Sequence, residues 1–179
     1  MARGMGRAVR GLALFAALQA VFSDVHPFCD QILQSSADAV GKGLPGREGA
    51  QHCARHVASY TAGHNVAAVA VTTVLGARPS WSALAAGAAV NAVTHYVIDR
   101  RAPFLRLLRS KAIGKGGYLE HATVQRREGV VDQAGPGTAL MEMDQAAHRL
   151  ISVGASLLTT YLSLRTEGRG DRPGLERED

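Results

Sequence analysis

Long, mostly apolar stretches alternate with short Gly- and Pro-containing segments along this chain, a pattern that predicts helices rather than strands. Residues 11–22 (GLALFAALQAVF) are almost entirely apolar, and a helical pattern continues to about residue 40. We therefore predict a first helix over 8–40, bent near Pro27 because the proline ring removes an interior backbone donor. Basic residues 1–10 before an apolar run are also typical of a cleaved signal peptide, the alternative interpretation, although no clear small-x-small cleavage site follows.

Three more helices are predicted beyond a Gly- and Pro-rich loop at 41–49. The second helix covers about 50–76, and the third covers about 81–100 with Ser80 as its N-cap. The last covers about 138–164 and is polar in its first half and apolar in its second. These elements predict an all-α fold, namely a four-helix membrane-associated bundle with a basic loop between the third and fourth helices.

The second and third predicted helices have the length of a membrane span. Each approaches the roughly 20 residues that a bilayer requires, and Trp81 stands at one end, where interfacial aromatic residues occur. The apolar run of the first helix is shorter, and the charge distribution favours its partial insertion, with all basic segments on the cytoplasmic side. In the alternative, all four helices cross and the basic loop lies outside. Either way we expect a multi-pass protein of the bacterial inner membrane.

Composition and charge refine this prediction. The 179 residues are 46% hydrophobic and 20% charged, values that also suit a soluble protein, so the membrane prediction rests on the local pattern. The helical domain is expected to cover 1–165, and the charged residues 166–179 are expected to form a disordered tail. The net charge is +5. Within the basic loop, the candidates for contact with the lipid bilayer, with anionic lipid headgroups or with a partner are Arg100, Arg101, Arg106, Arg109, Lys111 and Lys115.

A soluble nucleic-acid-binding protein is the other class that a basic chain suggests. The sequence contains no recognisable helix-turn-helix, zinc-finger or aromatic RNA-binding motif. The Ala- and Val-rich residues 66–98 also argue against a fully soluble protein. Nucleic acid is therefore not an expected partner.

Three pairs of one histidine and one aspartate share a spacing of four residues: His26 with Asp30, His95 with Asp99, and Asp144 with His148. Each pair therefore projects from one face of its helix. Such residues are costly next to lipid and normally turn inward, where imidazole and carboxylate groups can bind zinc, iron or manganese. The second helix adds two histidines on a similar face. The predicted metal ligands are His26, His56, His95 and His148; the predicted catalytic carboxylates, as ligands or general bases, are Asp30, Asp99 and Asp144; and the residues expected to orient them are Gln31, Gln34, His64, Asn91 and Gln145.

Other interpretations of the same residues stay open. The pairs can form a purely structural polar core, or they can be unrelated ion pairs on helix surfaces. The spacing Cys53-x-x-His56 is also compatible with a metal site, although the two cysteines of the chain are too few for a disulfide scaffold.

Four segments carry a resemblance to a known family: HPFCDQILQ (26–34), RHVASYT (55–61), NAVTHYVIDR (91–100) and MDQAAHRL (143–150). In this order they resemble the motifs of domain of unknown function 3307, a family of small multi-helix membrane proteins from bacteria, phages and plasmids. More distantly, the chain is similar to membrane proteins described as metal-dependent hydrolases with His-x3-Asp motifs. The resemblance implies a metal-dependent membrane hydrolase acting on a phosphate- or ester-containing substrate. The alternative is a non-enzymatic regulatory or phage- or plasmid-associated membrane protein with a structural His/Asp network.

Overall fold

The computed structural model describes residues 2–170, with side chains described from residue 6 to residue 167. Helices make up 76% of it, which confirms the all-α class. Within the described residues there are seven helices rather than the four predicted, together with one small hairpin. The elements are α1 (Ala2–Gln31), α2 (Ser36–Gly41), α3 (Gly46–Val74), α4 (Trp81–Asp99), α5 (Ala102–Arg109), α6 (Gly116–His121), β1 (Val124–Arg127), β2 (Val130–Asp132) and α7 (Ala139–Gly170).

The four long helices pack in a ring, with α1 against α3 and α7, and α4 against the same two helices. Between them, one apolar cluster includes Leu14, Leu18 and Phe22 of α1, which meet Leu84 of α4 and Ala155 of α7. A second apolar cluster lies under α5 and α6, around Phe104, Leu108, Leu119 and Leu140. The buried residues also include many polar side chains, among them five histidines and three aspartates.

The predicted first helix is wrong beyond Gln31, because two helices occupy 8–40. Ser35 begins α2 as an N-cap, since its hydroxyl oxygen accepts a hydrogen bond from the Asp38 amide at 3.1 Å. Pro27 lies inside α1 without ending it. The turn between the two helices brings α2 against α3.

Two other boundaries also differ from the prediction. The basic loop contains α5, α6 and an antiparallel hairpin, because Phe104 and Leu108 give this segment an apolar face that packs on the bundle. The predicted tail is wrong for 166–170, which continue α7, and an ion pair of 2.6 Å between Arg10 and Glu167 joins that end to α1. Residues 171–179 of the predicted tail lie outside the described residues.

Among the described residues, one helix is long and apolar enough to cross a membrane, the Gly6–Gln31 part of α1. The same test of length and hydropathy does not select α3 or α4, which correspond to the second and third predicted helices. In α4 the apolar run is interrupted by Asn91, His95 and Asp99, all buried on the inner face of the helix. The multi-pass prediction is not supported by helix length and hydropathy.

The closest approach of α4 to α7 depends on Gly87. A Cβ atom at this position would overlap the Thr159 hydroxyl and lie 3.0 Å from the Ala155 carbonyl oxygen. We expect Gly87→Val to cost about 2–3 kcal/mol of folding free energy, because the two helices must separate. Gly154→Ala is the control, since nothing lies within 4 Å of a Cβ there. Thermal unfolding measures both, and equal melting temperatures would contradict this packing.

Candidate metal centre

Four helices deliver histidine and aspartate side chains to one end of the bundle. The last turns of α1 and α4 meet the first half of α3 and the first turns of α7. The Ser80 side chain accepts from the Ala83 amide and begins α4 as predicted, and Thr138 accepts from the Met141 amide at the start of α7. The five histidines of this region are each at most 1% exposed: His26, His56, His64, His95 and His148.

Two of these histidines and two aspartates bring their donor atoms close together. One ligand atom each from Asp30, His56, His95 and Asp99 lies within 4.8 Å of the other three. The His56 Nε2 atom is 2.9 Å from His95 Nε2, 3.1 Å from Asp30 Oδ1 and 3.1 Å from Asp99 Oδ2. The His95 Nε2 atom is 3.0 Å from Asp99 Oδ2. Two imidazole nitrogens and two carboxylate oxygens are a donor set that suits zinc, iron or manganese, so this buried group can hold a metal ion.

A second group shares Asp99 with the first. Donor atoms of Asp99, Asp144 and His148 also lie within 4.8 Å of one another. The His148 Nδ1 atom is 2.9 Å from the Asp144 carbonyl oxygen, to which it donates. Its Nε2 atom, 3.9 Å from Asp99 Oδ1, therefore keeps its lone pair.

Lys42, which the sequence pattern did not indicate, supplies a cation to the first group. Its Nζ atom is 3.2 Å from Asp30 Oδ1 and 3.0 Å from Asp99 Oδ2. Burial alone would lower the pKa of Lys42, but the two carboxylates outweigh it and hold that pKa above its usual value. The Lys42 carbonyl oxygen accepts from Arg100 Nη1 at 2.9 Å, which fixes the backbone here.

A polar clamp holds α2 on α3 and so positions Lys42. The Asp38 carboxylate accepts from the Ser35 hydroxyl, from His52 Nδ1 and from the Arg55 guanidinium, each at 2.8 Å. Burial acts to raise the pKa of Asp38, but these three donors lower it to about 2. Lys42 follows Asp38 by one helical turn, so the clamp directs it toward the centre.

The depressed pKa of Asp38 predicts an acid-dependent loss of stability. Because the folded-state pKa lies below the usual 3.8, the stabilisation is present above that value and is lost as the pH falls through about 2. We expect Asp38→Asn to cost about 1–2 kcal/mol at neutral pH and to approach the wild type in strong acid. Chemical unfolding across this range tests it, with the exposed Asp24→Asn as control. A pH-independent difference would contradict the clamp.

Two predicted histidines do not join the metal-binding groups. His26, a predicted ligand, uses both ring nitrogens, because Nε2 is 3.1 Å from the Gln145 Oε1 atom and Nδ1 is 2.8 Å from the Tyr60 hydroxyl. Both nitrogens of His64 face backbone carbonyls, those of Tyr60 and Phe22. Tyr60 was not predicted, although His52, His56, Tyr60 and His64 follow each other at four-residue spacing on α3.

The predicted orienting residues divide into three kinds. Gln145 bridges two groups, because its Nε2 atom donates to Asp30 Oδ2 at 3.1 Å while its oxygen meets His26. Gln34 accepts from Lys42 at 3.5 Å, and Gln31 lies exposed at the same pocket. Asn91 is buried one turn before His95, and its side-chain oxygen has no hydrogen-bond partner among the described residues.

A pocket of about 440 Å³ connects the centre to the surface. Its walls include the carboxylates of Asp30, Asp99 and Asp144 together with Lys42 and Arg101. Arg101 is the non-glycine residue with a positive φ in the described part of the chain, 57°. The pocket gives a substrate of moderate size a route to the donor atoms.

The predicted contact residues of the basic loop lie at this same end. Arg100 is partly buried and donates to backbone carbonyls of the α2–α3 connection, so its role is structural. The others are exposed: Arg101, Arg106, Arg109, Lys111 and Lys115. Cys53 takes no part in the centre, since its thiol meets the Tyr96 carbonyl oxygen at 3.6 Å.

Comparison with known proteins adds no assignment to this geometry. Family models, curated proteins and solved structures give no match to this chain. The resemblance to domain of unknown function 3307 therefore stays a prediction.

Proposed function

We propose that this protein is a metal-dependent membrane hydrolase that acts on a phosphate- or ester-containing substrate. The observation that carries the proposal is the convergence of four buried donor atoms, from Asp30, His56, His95 and Asp99, within 4.8 Å of one another. The ammonium group of Lys42 already sits 3.0–3.2 Å from two of these carboxylates, so the group attracts a cation. The donor set fits zinc, manganese or iron.

The residues around the centre have the properties that hydrolysis requires. A divalent ion here would polarise a phosphoryl or acyl oxygen and lower the pKa of a bound water. Asp144 lines the pocket and is partly exposed, with its carboxylate 3.4 Å from His148 Nδ1, so it can serve as a metal ligand or as a general base. Lys42 and Arg101 offer positive charge to an anionic substrate group, while Gln145 fixes the Asp30 carboxylate.

Hydrolysis of p-nitrophenyl phosphate and p-nitrophenyl acetate by detergent-purified protein tests the proposal. The metal-loaded wild type should hydrolyse one of them, and chelation should abolish the activity. His95→Gln removes a ligand atom and should reduce the rate at least about 100-fold, whereas His121→Gln, at an exposed histidine of α6, should not. A hydrolysis rate that is unchanged both by the chelator and by His95→Gln would contradict a metal-dependent reaction at this centre.

The distribution of polar and apolar side chains supports a membrane location. The outward faces of the long helices carry Leu12, Val66, Val93 and Leu157, which are 59–70% exposed, whereas five histidines and Asp99 are buried. A soluble bundle shows the reverse pattern, since lipid rather than water favours an apolar exterior. We place the bundle in the bacterial inner membrane, with α5 and its arginines against anionic headgroups.

Carbonate extraction tests the membrane location. We expect the protein to stay in the membrane pellet, because apolar side chains cover the outer faces of α1, α3, α4 and α7. A peripheral protein held by the basic α5 alone would be released. Recovery in the supernatant would therefore contradict an embedded bundle and would favour the soluble alternative.

A structural role is the second candidate, and Lys42 is the observation that favours it. One ammonium group and two buried carboxylates can form a closed ion network without a metal. The protein would then be a non-enzymatic regulatory or phage- or plasmid-associated membrane protein. Under this alternative, His95→Gln lowers stability but no variant changes metal content.

A further inference from the structure

We infer that the centre holds two metal ions bridged by Asp99, the second bound by Asp99, Asp144 and His148. This inference rests on the proposed function, because it extends the same metal centre. The three residues have donor atoms within 4.8 Å of one another. One imidazole and two carboxylates are a donor set that suits a divalent cation such as zinc, manganese or iron.

The two oxygens of Asp99 face different groups, as a bridging carboxylate requires. Oδ2 is 3.1 Å from His56 Nε2 and 3.0 Å from His95 Nε2, both of the first group. Oδ1 faces His148 Nε2 at 3.9 Å. The ring centroids of His95 and His148 are 4.2 Å apart, so the two groups are immediate neighbours. Two-metal hydrolytic centres have their ions roughly 3.5–4 Å apart, a separation that adjacent groups with one shared carboxylate allow.

His148 has a free lone pair directed at this second group. Its side chain is 0% exposed, and its Nε2 atom has no hydrogen-bond partner among the described residues. The hydrogen bond from Nδ1 to the Asp144 carbonyl oxygen fixes the tautomer and the ring orientation. An unpartnered buried nitrogen is unfavourable, and coordination of a cation removes this cost.

Asp144 leaves the second ion accessible. Its side chain is 21% exposed, whereas that of Asp99 is 2% exposed, and both line the pocket that opens to the surface. Three protein ligands leave coordination positions for water or substrate, as in catalytic metal sites generally. Every residue of the first group is buried, whereas Asp144 is partly exposed, so the second ion is the one that a substrate reaches first.

Manganese binding to the detergent-purified full chain tests the inference. Equilibrium dialysis should give two Mn²⁺ per wild-type chain and one in His148→Gln and in Asp144→Asn, while His121→Gln keeps two. Electron paramagnetic resonance should show a spin-coupled pair in the wild type and a single-ion spectrum in the first two variants. His148 is buried, so His148→Gln can fail to fold. Asp144 is partly exposed, so Asp144→Asn then provides the test.

Three other results of the manganese measurement would overturn the second site. One Mn²⁺ in the wild type and in both variants overturns the second site and leaves the proposed hydrolase with a single ion. Two Mn²⁺ retained by both variants also overturns it, because the second ion then lies elsewhere. No bound Mn²⁺, zinc or iron in any protein overturns the inference together with the proposed function.

Discussion

Asp99→Asn is expected to weaken metal binding at least about 100-fold, the largest effect of any single change in this protein. Its carboxylate lies 3.0–3.1 Å from His56 Nε2, His95 Nε2 and Lys42 Nζ, and it also faces His148. The amide keeps the size of the side chain but removes the negative charge and one acceptor oxygen. No neighbouring side chain replaces the lost oxygen, because Asp30 is already engaged with His56 and Lys42.

Isothermal titration with Mn²⁺ or Zn²⁺ measures this change. Asp24→Asn is the matched control, because this aspartate is exposed on α1. Circular dichroism establishes that the variant retains its helices before the titration is interpreted. Wild-type affinity in a folded Asp99→Asn protein would show that the buried group is not where the metal binds.

Lys42→Met is expected to destabilise the metal-free protein by about 3–5 kcal/mol and the metal-loaded protein by much less. Without the ammonium group, the carboxylates of Asp30 and Asp99 lie buried and uncompensated. A bound divalent ion supplies the missing positive charge. The increase in melting temperature on adding metal should therefore be larger in this variant than in the wild type.

Thermal unfolding with and without metal provides the measurement, and Lys111→Met is the control because Lys111 is exposed. The structural alternative makes a different prediction, because added metal would then raise the melting temperature of neither the wild type nor Lys42→Met. An equal loss of stability with and without metal in Lys42→Met would favour that alternative.

Much of the centre could be predicted from spacing alone. The pairs His95/Asp99 and Asp144/His148 sit four residues apart, and helical geometry puts each pair on one face whatever the tertiary fold. Burial in a shared polar centre satisfies the hydrogen-bonding groups of these side chains. A buried group of aspartate and histidine residues able to hold a metal is thus confirmed.

The parts that were missed depend on contacts between elements. Lys42 was assigned to a loop, because nothing in its neighbouring residues reveals that the Ser35 cap starts a helix and that the Asp38 clamp turns it toward the centre. His26 has the same spacing to Asp30 as the other pairs, yet Tyr60 and Gln145 occupy both of its ring nitrogens. Periodicity gives the face of a helix but not which neighbours its side chains meet.

Helix length and hydropathy leave the multi-pass prediction unsupported for a related reason. Helix length and mean hydropathy favour α1, whereas exposed apolar side chains are distributed over four helices whose inner faces carry the polar centre. Histidine, asparagine and aspartate on the inner face of α4 lower its mean hydropathy even though its outer face is apolar. A local average therefore cannot identify a helix with one polar and one apolar side.

Metal analysis of the detergent-purified wild type is the most direct test of the central claim, that the buried aspartate and histidine group is a metal centre. Inductively coupled plasma mass spectrometry should find zinc, manganese or iron in at least stoichiometric amount in the wild type, and should find it strongly reduced in His95→Ala and Asp99→Ala. A wild-type protein that is metal-free as purified, and that stays so after incubation with each of these ions, would contradict the claim.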